Sequence, residues 1–132
     1  MNQRTENSDP RVIEGIKHAL YLDSKGETES AVQHLLALTK EFPTAASLHG
    51  YIALLLSRAG RLDEAINHGR QAIQLSPKSE KASLVLFGSL WIAGQHMNAI
   101  DEMKRFLALK PSEEYSKIIK DWNLIEEGPQ KP

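Results

Sequence analysis

Apolar residues recur along this chain at the three- and four-residue spacing of helices. Between 46 and 79, Leu48, Ile52, Leu55 and Leu56 fall on one helical face. Gly60 stops that helix, because glycine enters a left-handed C-terminal cap without steric penalty. Leu62, Ala65, Ile66, Ala72, Ile73 and Leu75 form a second apolar face, with Asp63 and Glu64 in its first turn, where carboxylates complement the helix dipole. Pro77 ends the pair, since proline cannot continue a helix. The same punctuation returns at a fixed step: Pro43, Pro77 and Pro111, then Gly26, Gly60 and Gly94, then Ala31, Ala65 and Ala99, are each spaced by 34 residues. Each unit therefore reads as two antiparallel helices joined by a short loop. The small alanine lets them approach closely near the turn.

The pattern predicts seven helices, over about 10–24, 28–41, 44–58, 62–75, 78–92, 96–109 and 113–126. Asp9-Pro10 suits the first helix, with Asp as N-cap and Pro at the first helical position. The expected organisation is a tail and helix start over 1–11, repeats over 12–45, 46–79 and 80–113, a capping helix over 114–127, and a tail over 128–132. Tyr115, Ile118, Ile119, Trp122 and Ile125 give the last helix one apolar stripe, suited to covering the open end of a stack. Residues 1–8 and 128–132 read as frayed tails.

Composition narrows the function classes. The chain has 132 residues, 41% hydrophobic and 25% charged, with a formal net charge of −1. That size and balance suit one globular domain and give no bulk charge for nucleic-acid binding. The absence of cysteine excludes disulfides, thiol nucleophiles and cysteine-based metal sites. Apolar runs are short, as at 52–56, so no membrane insertion is expected. The polar N-terminus has no signal-peptide core, and a cytoplasmic location is the expectation. By unit, 12–45 carries −2, 46–79 carries +2, and 80–113 is balanced. The middle excess (Arg58, Arg61, Arg70, Lys78) lacks the interleaved aromatics of a nucleic-acid patch.

Candidate chemistry is sparse. No two of His18, His34, His49, His68 and His96 stand three or four apart, so no helix presents a two-histidine metal pair. His34 and His68 share one slot in successive units and read as solvated positions of an outer face. There is no nucleophile motif and no glycine-rich loop after a strand, so no enzyme activity, metal or cofactor is expected.

The 34-residue units resemble the tetratricopeptide repeat (TPR) family. The closest wording is Gly60-Arg61-Leu62-Asp63-Glu64-Ala65-Ile66, continuing to Leu75-Ser76-Pro77, and Ala19 and Ala53 fill the family's small slot in the first helix of a unit. Departures are Phe87 in that slot, Phe106 where a small residue is commoner, and Gly15, His49 and Ser83 where the family places Trp. The resemblance implies an all-α, right-handed superhelix in which first helices line a concave groove, and a role in binding another protein.

On that register the partner-binding groove is formed by Ile13, Ile16, Leu20, Tyr51, Leu54, Arg58, Lys81, Leu84, Val85 and Trp91, with Gly50 and Gly88 leaving gaps for an approaching backbone. Tyr51 and Trp91 are the expected aromatic anchors. One TPR subclass grips a chaperone's C-terminal carboxylate with Lys, Asn and Arg. The matching positions here are Ile16, Leu20, Tyr51, Lys81 and Val85, and only Lys81 fits. The expected ligand is therefore an apolar peptide or amphipathic helix. Self-association as a homodimer through the groove, and intramolecular filling in which Trp91 packs under the last helix, stand as alternatives. A non-catalytic adaptor is the leading reading. A small chaperone for a secreted substrate, similar to those of type III secretion, and a regulatory subunit of a separate enzyme are its rivals.

Overall fold

The computed structural model describes residues 6–124. It is all-α: α1 (Pro10–Ser24), α2 (Thr28–Glu41), α3 (Ala46–Arg58), α4 (Leu62–Leu75), α5 (Glu80–Ile92), α6 (His96–Leu109) and α7 (Glu113–Trp122), preceded by a 3₁₀ turn at Glu6–Ser8. Among the described residues there is no strand, and no helix is long and apolar enough to cross a membrane. The hairpins α1/α2, α3/α4 and α5/α6 pack in order, and α3 touches both α1 and α5, so alternate helices line up side by side.

The hairpin turns are three copies of one motif. Gly26, Gly60 and Gly94 hold φ of +83°, +81° and +84°. The following amides of Glu27, Arg61 and Gln95 reach back to the carbonyls of Leu22, Leu56 and Leu90, each at 2.9 Å. This left-handed closure satisfies helix-end carbonyls, which explains the fixed glycine spacing. The alanines at the same step, Ala31, Ala65 and Ala99, are fully buried, as a close helix crossing requires.

Helices α3 and α5 start two residues later than the pattern predicts. Pro43 and Pro77 occupy turns closed by Ala45 N to Phe42 O (3.2 Å) and Ser79 N to Ser76 O (3.1 Å). Proline's fixed φ suits the second position of such a turn, so Thr44 and Lys78 belong to the turn rather than the helix.

A second difference concerns the N-terminal tail. Glu6 and Asn7 are docked, not frayed: Glu6 Oε1 accepts from Thr44 N at 2.7 Å, and Asn7 Oδ1 accepts from Ser47 N at 2.9 Å and Ser47 Oγ at 2.8 Å. Helix α3 has Ala45 at its N-cap and no capping side chain of its own. Asn7 supplies the missing acceptor from outside the helix. Residues 1–5, Ile125 and the predicted tail over 128–132 lie outside the described residues.

The core has two adjoining parts. Val12, Val32, Leu35, Leu48, Ile52 and Leu55 lead the first, between α1, α2 and α3. Leu86, Phe87, Leu90, Met103, Phe106 and Tyr115 lead the second, with Ile118 and Ile119 of α7 packed against it. Beneath them, α4 and α5 come so close at Gly69 that a Cβ there would lie 3.3 Å from Leu86 Cβ.

The cleft between the third and fifth helices

Side by side, α3 and α5 leave an open cleft with two connected lobes. The larger, of about 490 Å³, is lined by Leu54, Ser57, Arg58, Lys81, Leu84, Val85, Gly88 and Ile92, among others. The smaller, of about 110 Å³, lies toward the helix starts and is bounded by Asn7, Ala46, Gly50, Tyr51, Leu54, Ala82 and Val85, among others. Leu54, Lys81 and Val85 belong to both. These residues reach one cleft because they recur at three- and four-residue steps on the facing sides of two helices.

Gly50 and Gly88 have nothing within 4 Å of where a Cβ would stand. They are bare patches of the cleft wall, not packing contacts. Lys81 Nζ donates to Tyr51 Oη at 3.2 Å and lies 5.5 Å from the Tyr51 ring centroid, so its charge sits on a phenol. Among the described residues no carboxylate pairs with it. Arg58 lines the larger lobe, but its guanidinium pairs with Asp23 Oδ2 at 2.5 Å. A hydrogen bond from Thr28, followed by the one from Arg58, holds the Asp23 carboxyl below its ordinary value.

Of the ten groove positions expected from the sequence, Tyr51, Leu54, Arg58, Lys81, Leu84 and Val85 come together here. Ile13, Ile16 and Leu20 on α1 are outside this lining. Ile16 packs on the first core, while Ile13 is 42% exposed. Trp91 requires a correction. Its ring stacks on His96 at 4.1 Å, with Phe87 at 5.9 Å and Trp122 at 5.3 Å. It joins the aromatic cluster where α7 meets the end of α5, which is the intramolecular alternative. Asn7 is among the lining residues that sequence reasoning missed, with Ser76, Glu80 and Ala82. Its signal is weak, because a capping residue 40 positions ahead of its helix leaves no local spacing to read.

His34 and His68 also need correcting. Each is half-buried and turned toward its hairpin partner: His34 lies 4.9 Å from His18 and His68 lies 5.3 Å from His49, ring centroid to centroid. Among the described residues no cluster of three or more His, Asp or Glu could hold a metal ion.

No protein-family profile matches the chain, and no curated protein matches it in sequence. Solved structures do match. The Sgt2 TPR domain from Aspergillus fumigatus aligns over 99% of this chain and 93% of its own, with a TM-score of 0.72 at 15% identity. The second TPR of Spaghetti (RPAP3), described as bound to the HSP90 peptide SRMEEVD, aligns over 80% of this chain and 97% of its own, with a TM-score of 0.69 at 18% identity. A MamA mutant aligns over 80% and 77%, with a TM-score of 0.66 at 22% identity. Identities this low speak to fold. On three turn motifs, side-by-side first helices and these superpositions, the chain has the tetratricopeptide-repeat fold: three helix–turn–helix units and a seventh helix in a right-handed superhelix.

Proposed function

We propose that the chain is a non-catalytic interaction adaptor whose α3/α5 cleft takes the apolar face of an amphipathic helix from another protein. The observation that carries this reading is the character of the cleft walls. Both are helices, whose central main-chain groups are already hydrogen-bonded within each helix. They offer little to the amides of an extended strand, whereas a helical ligand arrives with its own bonded. Leu54, Leu84 and Val85 provide apolar contact, and the bare walls at Gly50 and Gly88 allow a second helix to come close. Lys81, lacking a carboxylate partner in the described residues, suits an acidic side chain beside that apolar face. The carboxylate-gripping set is missing four of five members, which disfavours a ligand held by its C-terminal carboxylate.

The test is capture of a partner from the native cell, followed by titration of its helical segment against the wild type and Leu54→Glu. The expected loss is about thirty-fold, the equivalent of a ~2 kcal/mol interface anchor. The circular dichroism of the variant should be unchanged. Undiminished binding by Leu54→Glu, or unfolding of the variant, defeats the reading.

A further inference from the structure

One slot recurs in all three hairpins and is filled differently each time. In the first, Gly15 on α1 faces His34 on α2, with His34 Nε2 standing 3.6 Å from where a Gly15 Cβ would be. In the third, 68 residues later, Ser83 Oγ donates to Glu102 Oε2 at 2.6 Å. Arg105 clamps Glu102 through two hydrogen bonds, of 2.8 and 2.7 Å, and also donates to the Pro77 carbonyl at 3.0 Å. In the second hairpin the slot holds His49 on α3 and His68 on α4, with their Nδ1 atoms 3.1 Å apart. The backbone at Pro43, the counterpart of Pro77, favours a proton on the His49 ring.

The two rings meet edge to edge. Their centroids are 5.3 Å apart, their planes differ by 21°, and their Nδ1 atoms point at each other across a hydrogen-bond distance. That span admits a single hydrogen: one Nδ1 donates and the other accepts. A singly protonated pair keeps this bond. A doubly protonated pair sets two N–H groups and two positive charges head to head, so the contact must open. We propose that His49 and His68 form a one-proton clasp that holds α3 to α4 near neutral pH and is released by acidification. This does not depend on what occupies the cleft.

The surroundings give the clasp its direction. Burial holds both rings below the ordinary histidine value, and for His68 the neighbouring His49 adds to the fall. Glu64, on α4 itself, opposes it at His68, and the backbone at Pro43 opposes it at His49. No charged side chain of α2 or α5 acts on either ring among the described residues. Because the folded values lie below the unfolded ones, the unfolded chain takes up more protons as pH falls. The clasp's contribution is complete above the free histidine value of about 6.5 and is lost as pH drops through it toward the lowered folded values.

The third hairpin supplies the control. The triple variant His49→Ser, His68→Glu, Gln71→Arg transplants the Ser–Glu–Arg arrangement, which needs no histidine. Urea unfolding at pH 7 and pH 5 is compared for both proteins; His18 and His34 are present in each and cancel. The expected result is a midpoint that drops on acidification in the wild type and keeps most of its value in the variant. An equal drop in both overturns the clasp. Nitrogen NMR of the wild-type histidines gives a second reading that does not need the variant to fold. It should show His49 and His68 titrating in two linked steps, with a through-hydrogen-bond coupling between their Nδ1 atoms at pH 7. Independent single steps near 6.5 for both rings overturn the proposal equally.

Discussion

Gly60, at φ +81°, and Gly50, inside α3 with open space where a Cβ would stand, answer the same substitution in opposite ways. Gly60→Ala forces an L-residue into the left-handed region and is expected to lower stability by about 1–2 kcal/mol. Gly50→Ala gains helix propensity and meets no neighbour, so it should raise stability by up to about 1 kcal/mol. Denaturant midpoints check both; equal signs would contradict this account. If Gly50 serves the cleft, Gly50→Ala also weakens helix binding while stabilising the protein, a combination that a packing role does not produce. The turn glycine was readable from its 34-residue spacing. That a glycine within a helix faces a cleft rather than a close neighbour was not, because Gly69 carries the same letter and packs on Leu86. The histidines repeat the lesson: the 34-residue step linked His34 to His68, but each contacts a different partner on the facing helix.

Helix boundaries follow from local chemistry wherever the cap is local. Asp9, Ser79 and Ser112 each cap their own helix, and the glycine turns end theirs. Helices α2, α4 and α6 have no capping side-chain hydrogen bond, and α3 takes its cap from outside: Asn7 holds the Ser47 amide, while Glu6 holds Thr44 in the turn before it. Asn7→Ala should therefore behave as a cap deletion, costing about 1 kcal/mol. Its mark in hydrogen exchange should be faster exchange at Ser47, with α5 unchanged; an unaltered Ser47 amide would mean that the contact carries no energy. Two ion pairs, Arg58–Asp23 and Arg61–Glu29, also tie the second hairpin to the first, but each has a partner more than half exposed, and such pairs contribute little singly.

The molecule is stabilised by two neighbouring cores rather than one, as in a stack whose units touch only their neighbours. Helix α7 closes the second core through Tyr115, which is fully buried between Phe87 and Phe106 and shares a 2.7 Å hydrogen bond with Ser83. Burial pushes the Tyr115 hydroxyl well above the usual tyrosine value, keeping it neutral. Tyr115→Ala removes a large ring and leaves Ser83 short of a partner, an expected cost of about 3–5 kcal/mol. Because coupling runs between neighbours, the loss of exchange protection should be greatest in α5, α6 and α7 and least in α1 and α2. A uniform loss would show that the two cores unfold as one.

Periodic letters were enough to establish the all-α repeat and its hairpins, and they picked out six residues that line one cleft. Helix spacing, turn glycines and buried alanines act within a few residues or at a fixed step, so they leave a trace in the order of residues. Tertiary structure alone decided which apolar side chains stay open and which are consumed. Trp91 and Tyr51 are alike in the chain as aromatics on first helices. Both are partly buried, but Trp91 packs on Trp122 because α7 arrives beside it, and Tyr51 lines the cleft because α3 and α5 leave a gap. Contacts made by whole helices meeting in space, like Asn7 reaching α3 or His49 reaching His68, have no short-range signature from which to be read.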